Sequence, residues 1–219
     1  IKIAKKNGLI SLAKTSTVEF AFGGLGLNKT CKLPTNLMFD QLAYAPGGSS
    51  TGAATSVYSG LAPLSVGTDT AGSIRIPAAW HGLVGFKPSR GKISTDGVVV
   101  LSKSYDTLGT ICKNVKDTRI LFEILYKNKN KKNSDFFKTS KIGFISDLNF
   151  EKLDNYSKSK IEILISNISK LGISIEYIKV PEFSEINDYF SLHGPIVNYE
   201  AWSHWKKIIY KKLEYIDPN

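Results

Sequence analysis

The uneven distribution of glycine limits what this chain can fold into. Of its 18 glycines, 15 lie within residues 1–110, and only Gly143, Gly172 and Gly194 follow. Glycine accepts backbone conformations and close approaches that other residues do not. The first half is therefore predicted to be built from tight turns around a ligand, and the second half to act as scaffold.

The second half has the pattern of a strand, a helix and a strand. Residues 141–146 and 173–180 are predicted strands, and residues 155–171 form a predicted helix that Gly172 ends. Its apolar stripe consists of Ile161, Leu164, Ile165, Ile168 and Leu171. This βαβ-like unit indicates an α/β fold. In the first half, residues 51–59 and 118–127 are predicted helices, and residues 9–13, 62–66, 83–86 and 98–101 are predicted strands.

The net charge of +10 raises the question of nucleic-acid binding. Only three of the 29 basic residues are arginine, the residue favoured for phosphate and base contacts. The densest basic stretch, residues 127–141, has no interleaved aromatic platform, so we interpret it as a solvated loop. No apolar run reaches the roughly 18 residues of a membrane span.

The cysteines and histidines favour a reducing compartment and no metal. Cys31 and Cys112 are far apart and form neither a disulfide framework nor a zinc motif. The three histidines lack ligand spacing. We expect a cytoplasmic protein without a metal or other cofactor.

Residues 47–91 carry two glycine loops that contain serine. Gly47-Gly48-Ser49-Ser50 precedes a predicted helix, so its N–H groups lie at a helix N-terminus. Such a loop can hold an anion or a hydroxyl that gives up a proton. Thr68 to Ser73 follows a predicted strand, and its small residues let N–H groups converge as in an oxyanion hole. The patterns of a P-loop and of a G-x-S-x-G elbow are absent.

These motifs resemble the amidase signature family. Ser49 and Ser73 stand 24 residues apart, in GGSS and GTDTAGSIRIPAA. Residues 14–20 are similar to the family's KTN-x-TEF stretch, residues 85–89 to its GxKP[ST] turn and residues 104–109 to its S-x-DT-x-GP segment. The resemblance implies a mixed β-sheet covered by helices on both faces. This chain would be part of a single domain, with a signature core (1–125), a Lys/Asn-rich loop (126–140) and a βαβ-like unit with helices (141–219).

The resemblance implies a Ser–Ser–Lys amidase. Ser73 would attack the amide carbonyl, and Ser49, preceded by a cis peptide bond in the family, would relay its proton to a neutral lysine. The implied oxyanion hole consists of the backbone N–H groups of Thr70, Ala71, Gly72 and Ser73. The residues expected to support the loops are Gly47, Gly48, Ser50, Asp69 and Arg75.

The lysine of this triad has no counterpart in the chain. In the family it lies far ahead of the bridging serine, whereas only 48 residues precede Ser49. We therefore expect it upstream of Ile1, in a protein incomplete here at both ends or in a truncated gene. The chain alone is expected to be inactive.

The sequence leaves three functions open. The first is an amidase that hydrolyses the C–N bond of a small-molecule amide, with homo-oligomers open and no membrane partner. The second is the A subunit of glutamyl-tRNA(Gln) amidotransferase, a glutaminase that acts on charged tRNA with partner subunits. The third is an inactive, truncated remnant.

Four further residues are weighed for a role in the site. We expect His81 to pack and Lys87 to belong to a structural turn. Core packing is favoured for Trp202 and Trp205 over a place in the substrate funnel, which the resemblance also suggests.

Overall fold

The computed structural model describes residues 2–28, 31–39, 43–126, 141–145 and 153–216. Residues 127–140 of the predicted Lys/Asn-rich loop lie outside this part. The chain divides into two compact units. The front unit comprises residues 1–129 and 196–219, and the back unit comprises residues 130–195.

The front unit contains a three-stranded antiparallel sheet. Its strands are β1 (Leu64–Asp69), β2 (Val84–Phe86) and β3 (Thr107–Cys112), in the order β1-β3-β2. Gly109 in β3 accommodates a close approach, because a Cβ there would lie 2.2 Å from the carbonyl oxygen of Phe86. The central strand is thus the last of the three in sequence.

Helices cover both faces of this sheet. Ile111 of β3 packs with residues of α2 (Thr51–Tyr58) and α3 (Arg75–Trp80). The next residue, Cys112, faces Leu121 and Leu125 of α4 (Val115–Leu125), since successive side chains on a strand alternate between faces. The α/β prediction, with helices on both faces, is confirmed.

The back unit contains the predicted strand–helix–strand. Strands β4 (Lys141–Ile145) and β5 (Ser174–Ile178) pair in parallel, and α5 (Asn155–Lys170) lies between them in sequence. Asp154 caps α5 by accepting a hydrogen bond from the Ser157 N–H at 2.9 Å. The βαβ-like prediction is confirmed.

The remaining elements are helical. The front unit begins with α1 (Lys2–Lys6) and includes α6 (Ile186–Lys212) from Ile196 onward. The short 3₁₀ segments are Glu19–Ala21, Pro181–Glu185 and Leu213–Tyr215. Within the described part of the chain, no helix combines the length and the apolar character needed to cross a membrane.

Two predicted strands are wrong. Residues 9–13 and 98–101 form no strand, and Ile10 and Val99 are 84% and 69% exposed. The apolar character of these segments predicts burial, but only Leu9 of the first segment packs against a core cluster. The strand predicted at residues 62–66 begins and ends later, as β1. Strand β3 and helix α3 were not predicted.

Candidate active site

The first serine loop is held from behind by a glycine-rich segment. The N–H groups of Gly47 and Gly48 donate to the carbonyl oxygens of Leu25 and Gly24 at 3.0 and 2.7 Å. The Gly48–Ser49 peptide bond is cis, as the resemblance implies. Only glycine fits at position 48, since a Cβ would lie 2.8 Å from the Gly26 nitrogen. The loop leads directly into α2, and Ser49 is buried at its start.

The second loop is folded around the carboxylate of Asp69. This side chain is buried at the end of β1 and accepts hydrogen bonds from the N–H groups of Gly72 and Ile74 at 2.7 and 3.1 Å. The guanidinium of Arg75 donates to both of its oxygens, at 3.0 and 2.9 Å. Asp69 thereby links the end of β1 to the start of α3.

Asp69 stays ionised in spite of its burial. Burial alone would raise its pKa, but the hydrogen bonds from Arg75, Ile74 and Gly72 and the charge of Arg75 outweigh that effect and lower the pKa. The same pairing raises the pKa of Arg75. The loop that carries Ser73 is thus organised by a permanent negative charge.

The two serine loops lie side by side. The Ser50 N–H donates to the carbonyl oxygen of Ser73 at 3.2 Å, and the Ser50 hydroxyl donates to the carbonyl oxygen of Thr68 at 3.2 Å. On the other side, the carbonyl oxygen of Ser49 accepts from the Val18 N–H at 3.1 Å. Ser73 retains 9% exposure. The fold therefore brings together the residues that the sequence placed in two separate motifs.

The four implied oxyanion-hole donors are not equivalent. The Gly72 N–H is directed at Asp69, which differs from the expectation that all four point toward a substrate. Among the described residues, no acceptor is found for the N–H groups of Ala71 and Ser73. The Thr70 hydroxyl donates to Asp106 at 2.6 Å. The physical reason is that the loop folds back onto its own acidic residue.

Two acidic residues near this loop were not singled out from the sequence. Asp106 accepts from Thr70, and Glu200 of α6 accepts from the hydroxyls of Ser102 and Ser104. Asp106 lies inside the SYDTLG segment that carries the resemblance, so that motif was a usable signal. Glu200 lies 98 residues from Ser102, and nothing local in the sequence marks it.

Other candidates stand apart from the serine loops. The Nδ1 atom of buried His81 lies 2.9 Å from the carbonyl oxygen of Pro77, and its ring packs edge-on against Tyr58. Lys87 donates to the carbonyl oxygen of Pro88. In the described ranges, no lysine amine is hydrogen-bonded to Ser49 or Ser73, and no cluster of His, Cys, Asp or Glu could hold a metal.

An apolar cavity of about 900 Å³ lies behind the first serine loop. Gly24 and Leu25, whose carbonyls hold that loop, are part of its wall. Trp202 and Trp205 of α6 line it as well, and Trp202 is 43% exposed, so the expectation of core packing is wrong for Trp202. Glu19 is the one charged residue among its described lining residues.

Comparison with known proteins gives a family-model match and matches to curated relatives. A family model described as Amidase matches residues 1–213. The glutamyl-tRNA(Gln) amidotransferase A subunit from Lactococcus lactis subsp. cremoris is 36% identical over 80% of this chain and 39% of its own length. The 2-amino-5-chloromuconic acid deaminase of Comamonas testosteroni is 31% identical over 99% of this chain and 47% of its own length.

Solved structures agree with these matches. A crystal structure of an amidase superposes with a TM-score of 0.86 at 29% identity, over 99% of this chain and 48% of that protein. The amidotransferase A subunit from Thermotoga maritima gives 0.79 at 26% identity, over 97% of this chain and 50% of that protein. This chain spans half or less of the length of each of these relatives.

Proposed function

Because this chain belongs to the amidase family, we propose that it carries the nucleophile and the proton-relay serine of an enzyme that hydrolyses carboxylic amides. The observation that supports this most is the contact between the two serine loops at Ser50 and Ser73, next to the cis peptide bond at Ser49. Both serines are buried, with 1% exposure for Ser49 and 9% for Ser73.

The proposed reaction proceeds through an ester on Ser73. Its Oγ attacks the amide carbonyl carbon, and its proton passes through Ser49 to a base, because a serine hydroxyl is a weak nucleophile until its proton is removed. Breaking the C–N bond returns that proton to the leaving nitrogen. Water then hydrolyses the ester, which releases the acid and restores Ser73.

The base of the reaction is proposed to lie outside this chain. The family uses a neutral lysine, and Lys14 belongs instead to the stretch that is similar to KTN-x-TEF. The polypeptide that contains this chain together with its upstream segment is therefore the proposed enzyme.

The oxyanion hole is proposed to centre on the N–H groups of Ala71 and Ser73. Preorganised donors stabilise the charge that develops on the carbonyl oxygen in the transition state. The hydrogen bond from Gly72 to Asp69 would serve a different purpose. It would hold the loop in the conformation in which the N–H groups of Ala71 and Ser73 face the substrate. Arg75 neutralises the buried charge from the other side.

The apolar lining of the cavity fits an apolar substituent of an amide, although none of its lining residues belongs to either serine loop and Glu19 adds one carboxylate. Glutamine carries an ammonium and a carboxylate, and each would need a charged or polar partner on burial. The similarity to the amidotransferase A subunits favours the second candidate, a glutaminase that works with partner subunits on charged tRNA. A cytoplasmic location and small-molecule substrates are proposed under the first candidate.

Labelling with a fluorophosphonate tests the proposal directly. The polypeptide that includes the upstream segment is expected to be labelled at Ser73, as mapped by mass spectrometry, and to hydrolyse an apolar amide with a higher kcat/KM than glutamine. Ser73→Ala should abolish both labelling and turnover. Ser59→Ala, which removes a hydroxyl at the end of α2, is the matched control.

The outcomes separate the three functions. Turnover that persists in Ser73→Ala would overturn the serine mechanism. Preference for glutamine, with transamidation only in the presence of partner subunits, would favour the second candidate. A full-length protein that is folded but neither labelled nor active would be the inactive remnant.

A further inference from the structure

We infer that Glu200 is a positioning residue for the loop that carries Ser73, acting through Ser102, Asp106 and Thr70. This inference rests on the proposed function, because it assigns a role in the geometry of the same loop. All of these residues lie in the front unit.

The first link joins the Ser73 loop to a neighbouring turn. The Thr70 hydroxyl donates to Oδ1 of Asp106 at 2.6 Å. Thr70 directly precedes Ala71, whose N–H is one of the proposed oxyanion donors. A change in the position of Asp106 would therefore move the peptide plane next to that donor.

The second link closes the turn around Asp106. Its two oxygens accept from the N–H groups of Leu101 and Ser102, at 2.9 and 3.1 Å. Its own N–H donates back to the carbonyl oxygen of Ser102 at 2.9 Å. Asp106, Leu101 and Ser102 are all buried, so this turn is a compact unit with few alternative partners.

The third link connects this turn to α6. Ser102 bridges two carboxylates, since its N–H donates to Asp106 and its hydroxyl donates to Glu200. Glu200 also accepts from the hydroxyl and the N–H of Ser104, at 2.5 and 3.0 Å. These hydrogen bonds from Ser102 and Ser104 lower the pKa of Glu200 to about 2, so it is an ionised acceptor at neutral pH.

A fourth contact keeps α6 in register with the turn. The indole N–H of Trp205 donates to the carbonyl oxygen of Val100 at 2.8 Å. Ala201, Trp202 and Trp205 line the apolar cavity, and Glu200 adjoins them in sequence on the same helix. The network therefore runs from the wall of the cavity to the proposed oxyanion donors.

Such a network should act on the chemical step more than on substrate affinity. The donors of an oxyanion hole lower the barrier only if they point at the position that the carbonyl oxygen takes in the transition state. A displacement of about 1 Å in such a site can lower the rate 10²-fold. Loss of a contact that acts only in the transition state lowers kcat and leaves KM nearly unchanged. A helix anchor with no effect on the loop would change stability alone.

The test is a double-mutant cycle in the polypeptide that includes the upstream segment. Glu200→Gln is expected to lower kcat for an apolar amide about tenfold, with KM changed by less than about twofold. Thr70→Val should lower kcat similarly, and Thr70→Ser should restore most of the loss. The double variant should be no slower than the slower single variant, because both substitutions interrupt the same network.

Controls keep the result interpretable. Glu123→Gln removes the ion pair with Arg119 on α4 by the same chemical change, and it should leave kcat unchanged. Should Glu200→Gln fail to fold, Ser102→Ala removes one donor to Glu200 and keeps the N–H to Asp106. All assays are run well below each variant's Tm.

Two results would overturn the inference. One is a Glu200→Gln or Ser102→Ala enzyme with a lower Tm and a normal kcat. The other is a double variant whose losses multiply, which shows independent sites. Failure of the proposed function looks different, because the Ser73→Ala enzyme would then still turn over substrate.

Discussion

The two compact units differ in what their polar side chains do. In the front unit, the Asp69 carboxylate is buried and is fully engaged by Arg75 and the backbone. In the back unit, the ion pair between Lys141 and Glu176 lies on the surface of a two-stranded sheet. Buried polar groups must be satisfied to be tolerated, whereas exposed pairs are replaced by water at little cost. The front unit thus uses its charges to fix the geometry of a loop.

The units also differ in how their apolar residues are used. In the front unit, Ile111 and Leu121 are completely buried on opposite faces of the sheet. In the back unit, none of the described residues of α5 is buried, and Leu164 of its apolar stripe is 56% exposed. A precise site needs rigid support, and among the described residues the buried side chains of the front unit provide it.

The largest difference between the units should appear in kcat when one serine hydroxyl is removed from each. Ser49→Ala is expected to lower kcat by about 10²–10⁴-fold, because it removes the proposed proton relay. Ser159→Ala on α5, which removes an exposed hydroxyl bonded to a neighbouring carbonyl, should leave kcat unchanged. Amide hydrolysis by the polypeptide with its upstream segment is the assay. Full activity of the Ser49→Ala enzyme would contradict the Ser–Ser–Lys assignment.

The next largest difference concerns the two ion pairs. Asp69→Asn should lower the free energy of unfolding by about 2–4 kcal/mol, because it leaves the buried N–H groups of Gly72 and Ile74 poorly paired and removes the charge that pairs with Arg75. Glu176→Gln, the corresponding change in the back unit, should have no measurable effect on the free energy of unfolding. Chemical denaturation of each variant measures this, and equal effects would show that burial is not the deciding factor.

Acid should destabilise the front unit through Glu200 and Asp69. The pKa of Glu200 falls from 4.5 to about 2, and the pKa of Asp69 is also lowered from its ordinary 3.8. Carboxylates with lowered pKa values add stability above their unfolded pKa, and this is lost as pH falls through the folded value. Stability should therefore be level above about pH 5 and decline between about pH 4.5 and 2. Glu200→Gln should flatten part of that decline.

The smallest effect on folding is expected from the exposed apolar face of α5. Leu164→Lys and Leu171→Lys should leave Tm nearly unchanged, since these side chains are 56% and 77% exposed. They should nevertheless reduce self-association of the chain alone, which its exposed apolar surface favours. Light scattering measures this, with Leu121→Lys in the buried core as the unfolding control. A soluble monomer of the unaltered chain with a cooperative transition would contradict the expectation.

The sequence predicted elements with a regular pattern and missed those whose pattern is interrupted. The stripe of α5 and the small residues of α2 carried a clear signal, and both helices are confirmed. Strand β3 contains Gly109 in its middle, and a glycine at such a position is typical of an interrupted strand. Here the glycine is needed because the backbone of Phe86 lies too close for a Cβ atom. Residues 98–101 have the composition of a strand, but they pair with no other strand in the part of the chain that the structure describes.

Local motifs revealed part of the candidate site, and contacts between distant residues made up the rest. Ser49 and Ser73 could be found because glycine-rich loops with fixed spacing are local features. Their side-by-side arrangement and the engagement of Gly72 by Asp69 required the folded chain. Glu200 could not be found from the sequence, because its partners Ser102 and Ser104 are almost a hundred residues away.

The order in which these contacts can form has a consequence for synthesis on the ribosome. The clasp between Asp69 and Arg75 spans six residues and can close as soon as that turn emerges. The bond from Thr70 to Asp106 spans 36 residues, and β1 and β2 stay unjoined until β3 arrives between them. The bond from Ser102 to Glu200 spans 98 residues. Contacts between distant residues form late because closing a long loop costs entropy. A nascent chain would therefore assemble the loop around Ser73 early and complete its outer bracing only near the end of this stretch.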